Sequence, residues 1–165
     1  MGLDLALLNT GVVILTEEGL LLRSFTLKHP VKKAKSAQKT EARRIERLLN
    51  LTNEIVEICN TFHIRHVGME GFAYARGLSA HQVGEIAGCV KTQLWLARKI
   101  VPLIVQPATG RKFMFGYGRA GKGEVQDILV EKLGLGLDDD HQTDAYVVGQ
   151  YTFHEVAVER VEAVQ

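Results

Sequence analysis

The spacing of apolar and polar residues changes several times along the chain, and each change marks an element. Residues 2–8, 11–16 and 20–28 are short apolar-rich runs separated by Thr10-Gly11 and Glu17-Glu18-Gly19. They predict three strands joined by tight turns. The polar, basic stretch HPVKKAKSAQK follows as a loop. From Thr40 to Phe62, Ile45, Leu48, Leu49, Leu51, Thr52, Ile55, Ile58 and Cys59 fall at helical spacing. Ile64 to Glu70 predicts a fourth strand, which the intervening helix allows to lie parallel to the first.

Gly71 to Gly77 is a loop holding Phe72, Tyr74 and Arg76. Ser79 is the expected cap of a long helix running to about Lys99. That helix is apolar on more than one side, with Val83, Ile86, Ala87, Val90, Leu94, Trp95 and Leu96 beside small Gly84 and Gly88. Two apolar faces serve either a core and a partner subunit together, with Val90 an outward position at the interface, or deeper burial within one chain. Val101 to Gln106 predicts a fifth strand, stopped by Pro107, and Thr109 to Phe115 fits a short helix. The loop GYGRAGKG leads into a helix over Glu124 to Leu133, and Asp138 to Asp140 cap the last helix. The order is that of an α/β domain, a five-stranded mixed sheet flanked by helices on both faces, spanning 1–165.

Composition narrows the class. At 165 residues, 46% hydrophobic, the chain is long enough to bury a sizeable core. Cys59 and Cys89 are too few and too far apart for a disulfide framework or a zinc site, and read as core thiols of a reducing cytoplasm. Asp4 interrupts the apolar N-terminus, which lacks the basic start of a signal peptide. No run reaches transmembrane length, so no membrane partner is expected.

The net charge of +1 hides a strong asymmetry. Between Arg23 and Arg47 nine bases face two acids, and between Ile86 and Gly123 seven bases face none. Acids then crowd residues 124–140. Solvated helix faces would explain the first cluster alone. Basic surface around an acidic metal site would instead collect a phosphodiester backbone and present it for cleavage.

The acidic site itself is suggested by four residues. Asp4 lies inside MGLDLALLNTGVVIL and Glu70 ends IRHVGMEGF, while His141 and Asp144 share one face at the start of the last helix. A charge in an apolar strand costs several kcal/mol, on the order of 3–5, unless compensated. Hard oxygen and imidazole donors suit magnesium or manganese. Blander roles exist for each: a turn cap for Asp4, a bridge to Arg65 or His66 for Glu70, a helix-dipole partner for Asp144. Asp140 could supply an oxygen in place of His141.

In order, Gly2-Leu3-Asp4, Met69-Glu70-Gly71-Phe72, Gly116-x-Gly118-x-Ala120-x-Lys122 and His141-x-x-Asp144-Ala145 resemble the RuvC-type Holliday junction resolvases of the ribonuclease H-like superfamily. The resemblance runs from Gly2 to about Phe153. It implies a ribonuclease H-like fold and a homodimeric endonuclease that binds branched DNA, a four-way junction, and nicks two strands symmetrically. It also implies two Mg2+ or Mn2+ ions per active site, with Asp4 between them and Glu70, His141 and Asp144 completing the set. The family usually reads Asp-Pro-Gly after its first aspartate; here Asp4-Leu5-Ala6 departs from that, which points to a divergent, phage-encoded branch.

Further contacts are expected around this set. Lys122 follows a glycine-rich loop that lets backbone approach a phosphate, and is a candidate to steady the scissile phosphate or the attacking hydroxide. Lys112 and Arg119 are candidate phosphate contacts. Phe72 or Tyr74, beside Arg76, could stack on bases unpaired at a branch point, or fold back on the core. Rival readings are a single-domain nuclease acting on RNA or flapped DNA, a non-catalytic nucleic-acid binding module, and an actin-like ATP-binding domain. The last needs two such domains, more than 165 residues can provide.

Overall fold

The computed structural model describes residues 1–30, 36–71 and 78–163, leaving aside the side chains of residues 78–80 and 122. Three strands open the chain: β1 (Gly2–Leu5), β2 (Asn9–Leu15) and β3 (Leu21–Lys28). Helix α1 (Ala37–Thr61), strand β4 (Gly68–Glu70), helix α2 (Leu78–Arg98) and strand β5 (Leu103–Val105) follow. Helices α3 (Pro107–Phe115), α4 (Lys122–Leu133) and α5 (Asp140–Glu162) close it. The sheet order is β3-β2-β1-β4-β5, antiparallel across the first three strands and parallel from β1 through β4 to β5. The expected five-stranded mixed sheet is therefore present, with β1 at its centre.

Its two faces carry separate cores. On one, Leu3, Leu5, Val12, Ile14 and Met69 pack against Leu51 and Ile55 of α1 and Ile86, Val90 and Leu94 of α2. On the other, Val13 meets Val125 and Leu129 of α4 and Ala145 and Val147 of α5. Helices thus cover both faces, as the apolar pattern requires.

Three local expectations need correction. Thr10-Gly11 is not a turn but lies within β2, where Gly11 pairs with Asp4; the chain reverses over residues 6–8 instead. Ser79 lies inside the first turn of α2, which begins one residue earlier. Val90 is not outward-facing: it is 1% exposed, locked in the core beneath α2.

Gly11 is in β2 for reasons of space. A Cβ there would stand 1.9 Å from the carbonyl oxygen of His141, and one on Gly2 would stand 2.1 Å from that of Ala145. Helix α5 therefore lies in backbone contact with β1 and β2, nearer than any side chain allows. Two further ties set its position along the sheet. Asp139, the N-cap, accepts from the Gln142 amide at 2.8 Å, and its other oxygen accepts from Thr26 Oγ1 of β3 at 2.6 Å.

Gly11→Ala should consequently push the first turn of α5 off the sheet. Urea unfolding should show a loss of about 2–3 kcal/mol with an unchanged slope. A loss under about 0.5 kcal/mol, the size of an ordinary surface change, would mean the contact is not restrictive.

Candidate active site

The parallel register of β1 and β4 brings the strand acids together. Gly2 pairs with Gly68 and Leu3 with Met69, so Asp4 and Glu70 stand side by side one step further on. Alternation turns Leu3 and Met69, both fully buried, into the α1/α2 core. Asp4 and Glu70 turn the other way, onto the face where Gly2 touches α5. The docked first turns of α5 bring Asp144 to the same place. Carboxylate oxygens of Asp4, Glu70 and Asp144 lie within 4.8 Å of one another.

Such a cluster is electrostatically costly. Asp4 and Asp144 are each 5% exposed. Burial first, then the charges of Asp4 and Asp144 and a hydrogen bond to Asp4, push the Glu70 carboxyl up to about 9, against the opposing pull of Arg111. Metal-free, the site thus answers its own repulsion by keeping a proton on Glu70. A divalent cation is the other answer, and three hard oxygen donors fit magnesium or manganese.

Arg111 was not singled out from the sequence. From α3 it donates to Asp144 Oδ1 at 3.0 Å and to the carbonyl of Ala120 at 2.9 Å. One guanidinium thereby orients a cluster carboxylate and pins the glycine-rich loop that leads into α4. The available signal was the need of a buried Asp144 for a cation, in a chain with an arginine in the helix ahead of that loop.

His141 touches the cluster through Asp4: its Nδ1 lies 2.7 Å from Asp4 Oδ2. The imidazole therefore sits beside the three-carboxylate group, oriented on one of its members. Asp140, the alternative donor, is exposed at the first position of α5. Lys112 and Arg119 line an open groove against α5, together with Phe113 and Tyr151. Lys122 begins α4 directly after the pinned loop. Phe72, Tyr74 and Arg76 lie outside the described residues.

The chain has an α/β fold of ribonuclease H-like kind, with an acidic cluster at the ends of two adjacent parallel strands and the start of the last helix. No family model matches the sequence, and no curated protein matches it. Solved structures do. RuvC from Thermus thermophilus is similar over 95% of each chain, with TM-score 0.71 and 21% identity. T. thermophilus RuvC in complex with a Holliday junction substrate is similar over 94% of this chain and 93% of that one, with TM-score 0.73 and 19% identity. The chain has the fold of the RuvC-type resolvases.

The raised Glu70 pKa has a definite consequence for stability. Between the ordinary glutamate range and about 9, the folded protein holds a proton that the unfolded chain has released. Stability without metal should therefore fall as pH rises through that window. A bound cation displaces the proton, so manganese should raise Tm more at pH 8.5 than at pH 6. Thermal unfolding in chelator and in manganese checks both, and Glu70→Gln should flatten the metal-free slope. The same slope in that variant would remove Glu70 as its source.

Arg111→Leu should lower Tm markedly in chelator, because Asp144 loses the cation beside it, and manganese should restore much of the loss. An unchanged Tm in chelator would show the ion pair to be unimportant.

Proposed function

We propose that this chain is a structure-selective endonuclease that resolves four-way DNA junctions by metal-dependent phosphodiester hydrolysis. The carrying observation is the Asp4–Glu70–Asp144 cluster, placed on a fold similar over nearly its whole length to RuvC in complex with a Holliday junction substrate. A reducing cytoplasm accords with the free thiols of Cys59 and Cys89. Among the described residues no helix is long and apolar enough to cross a membrane.

Asp4, Glu70 and Asp144 would hold the metal, two magnesium or manganese ions in this reading, with His141 as the fourth group. Bound there, the ions would supply an activated water and stabilise the leaving oxygen of an in-line displacement. Asp4 is the central carboxylate, since it meets both Glu70 and His141. His141 keeps the Asp4 carboxylate in one orientation. Arg111 does the same for Asp144, and through Ala120 holds the loop from which Lys122 would reach the scissile phosphate. Lys112 and Arg119 would take the flanking backbone, and Phe72, Tyr74 and Arg76 the unpaired bases at the branch.

Two symmetric nicks require two sites, which an isologous homodimer supplies. The outward face of α2 is the proposed interface. Trp95 and Leu96 are 49% and 62% exposed there, and a Cβ on Gly88, two turns earlier, would meet no other atom within 4 Å. Leu96→Glu should give a folded monomer that no longer makes paired nicks, whereas Val90→Glu should unfold the chain. A wild type that sediments as a monomer both free and on a junction would favour a simpler nuclease acting on RNA or flapped DNA.

The decisive assay is cleavage of labelled four-way junction, linear duplex, flap and RNA–DNA hybrid, each with magnesium and with manganese. Selective paired cleavage of the junction is expected. Asp4→Asn should abolish cleavage while junction binding survives, because affinity comes from the bases. Cleavage within a few-fold of wild type would remove Asp4 from the metal site.

A further inference from the structure

At the other end of the sheet from the acidic cluster is a cavity of about 350 Å3. Its walls are apolar: Ile14 and Leu22 from the meander, Phe62 after α1, and Phe153 and Val156 from α5. Basic groups stand around them, namely Arg65 and His66 ahead of β4 and Arg160 near the end of α5, with Glu17 the one acid among the lining residues. Both arginines and His66 are exposed, so they ring the mouth and leave the interior apolar. Leu22, half exposed, extends the apolar wall into solvent on the edge strand β3.

His66 is a neutral hydrogen-bonding group at pH 7 rather than a third charge at this mouth. Burial first, then Arg160, the N-terminal ammonium and Arg65, hold its imidazole below the usual histidine range, with Glu159 opposing. From Asp144 to Val156, α5 rises about 18 Å at 1.5 Å per residue. A molecule in the cavity would therefore leave the acidic cluster uncovered.

We propose that this cavity is a docking site for an acidic segment of a partner protein, which anchors a bulky apolar side chain between Phe62, Phe153 and Val156 and lays its carboxylates against Arg65 and Arg160. The volume lies near the lower end of the range of about 300–1,000 Å3 found for pockets that bury a ligand, suited to an anchor of one or two side chains. A nucleic-acid backbone offers no apolar group to such walls. A simple fatty carboxylate offers one charge to a mouth at which Arg65 and Arg160 present two. An acidic peptide with an apolar anchor matches both features.

Fluorescence anisotropy on the full chain tests this with fluorescein-labelled octapeptides. One is rich in Asp and Glu and ends in Leu-Phe. A second replaces the acids by Ser and Gly, and a third keeps the acids but ends in Ser-Ser. The first should bind at least tenfold more tightly than either other, and with marked salt dependence. Arg65→Glu with Arg160→Glu, both at exposed positions, should weaken it at least tenfold, as should Ala157→Trp, which fills the cavity from its exposed rim. Circular dichroism melts confirm that the variants are folded. Equal binding of all three peptides, indifference to the charge reversals, or stabilisation by decanoate with no binding of the acidic peptide would each overturn the proposal.

Discussion

The structure depends on how closely α5 lies against the sheet. Gly2 and Gly11 remove the side chains that would hold the helix away, and the carbonyls of His141 and Ala145 occupy the space. Two strands and the helix that follows most of the chain thereby become one rigid unit. Asp4 and Glu70 reach the α5 face by strand alternation, but Asp144 meets them only because the first turns of α5 are pressed onto β1 and β2. Asp139, bonded at once to the helix and to Thr26, sets where along the sheet that helix begins.

The site this creates works against the fold that holds it. Three carboxylates share a buried space, and the Arg111 guanidinium beside them reaches Asp144. Burial first, and the remaining repulsion with it, keep the proton on Glu70. A protein selected for stability alone would place apolar side chains here. Retaining the acids is understandable if a divalent cation completes the site, because the cluster is then poised to bind it and binding adds to stability.

Much of this was legible from the sequence, and the failures have a common cause. Periodicity, turn and cap signals located the helices and strands of the described residues, and an aspartate within an apolar strand marked Asp4 as a candidate. Glu70 and Asp144 followed from their places on neighbouring elements. Gly11 was misread as a turn residue, because a glycine required for close approach looks the same in one dimension as one required for its backbone angles. Val90 was read as outward, since a helix with two apolar sides does not disclose which faces the sheet. Arg111 and the His141–Asp4 bond depend on contacts across 33 and 137 residues, which no local pattern carries. The cavity beyond Phe153 was invisible for the same reason, being assembled from five separate parts of the chain.

The central claim is that the packing of α5 on the sheet builds a divalent-cation site from Asp4, Glu70 and Asp144. Anomalous diffraction from crystals soaked in manganese above pH 8 tests it most directly. The account predicts manganese density ligated by oxygens of all three carboxylates, with the α5 backbone still seated on Gly2 and Gly11. Manganese density elsewhere on the surface, with the three acids left uncoordinated at saturating metal, would contradict it.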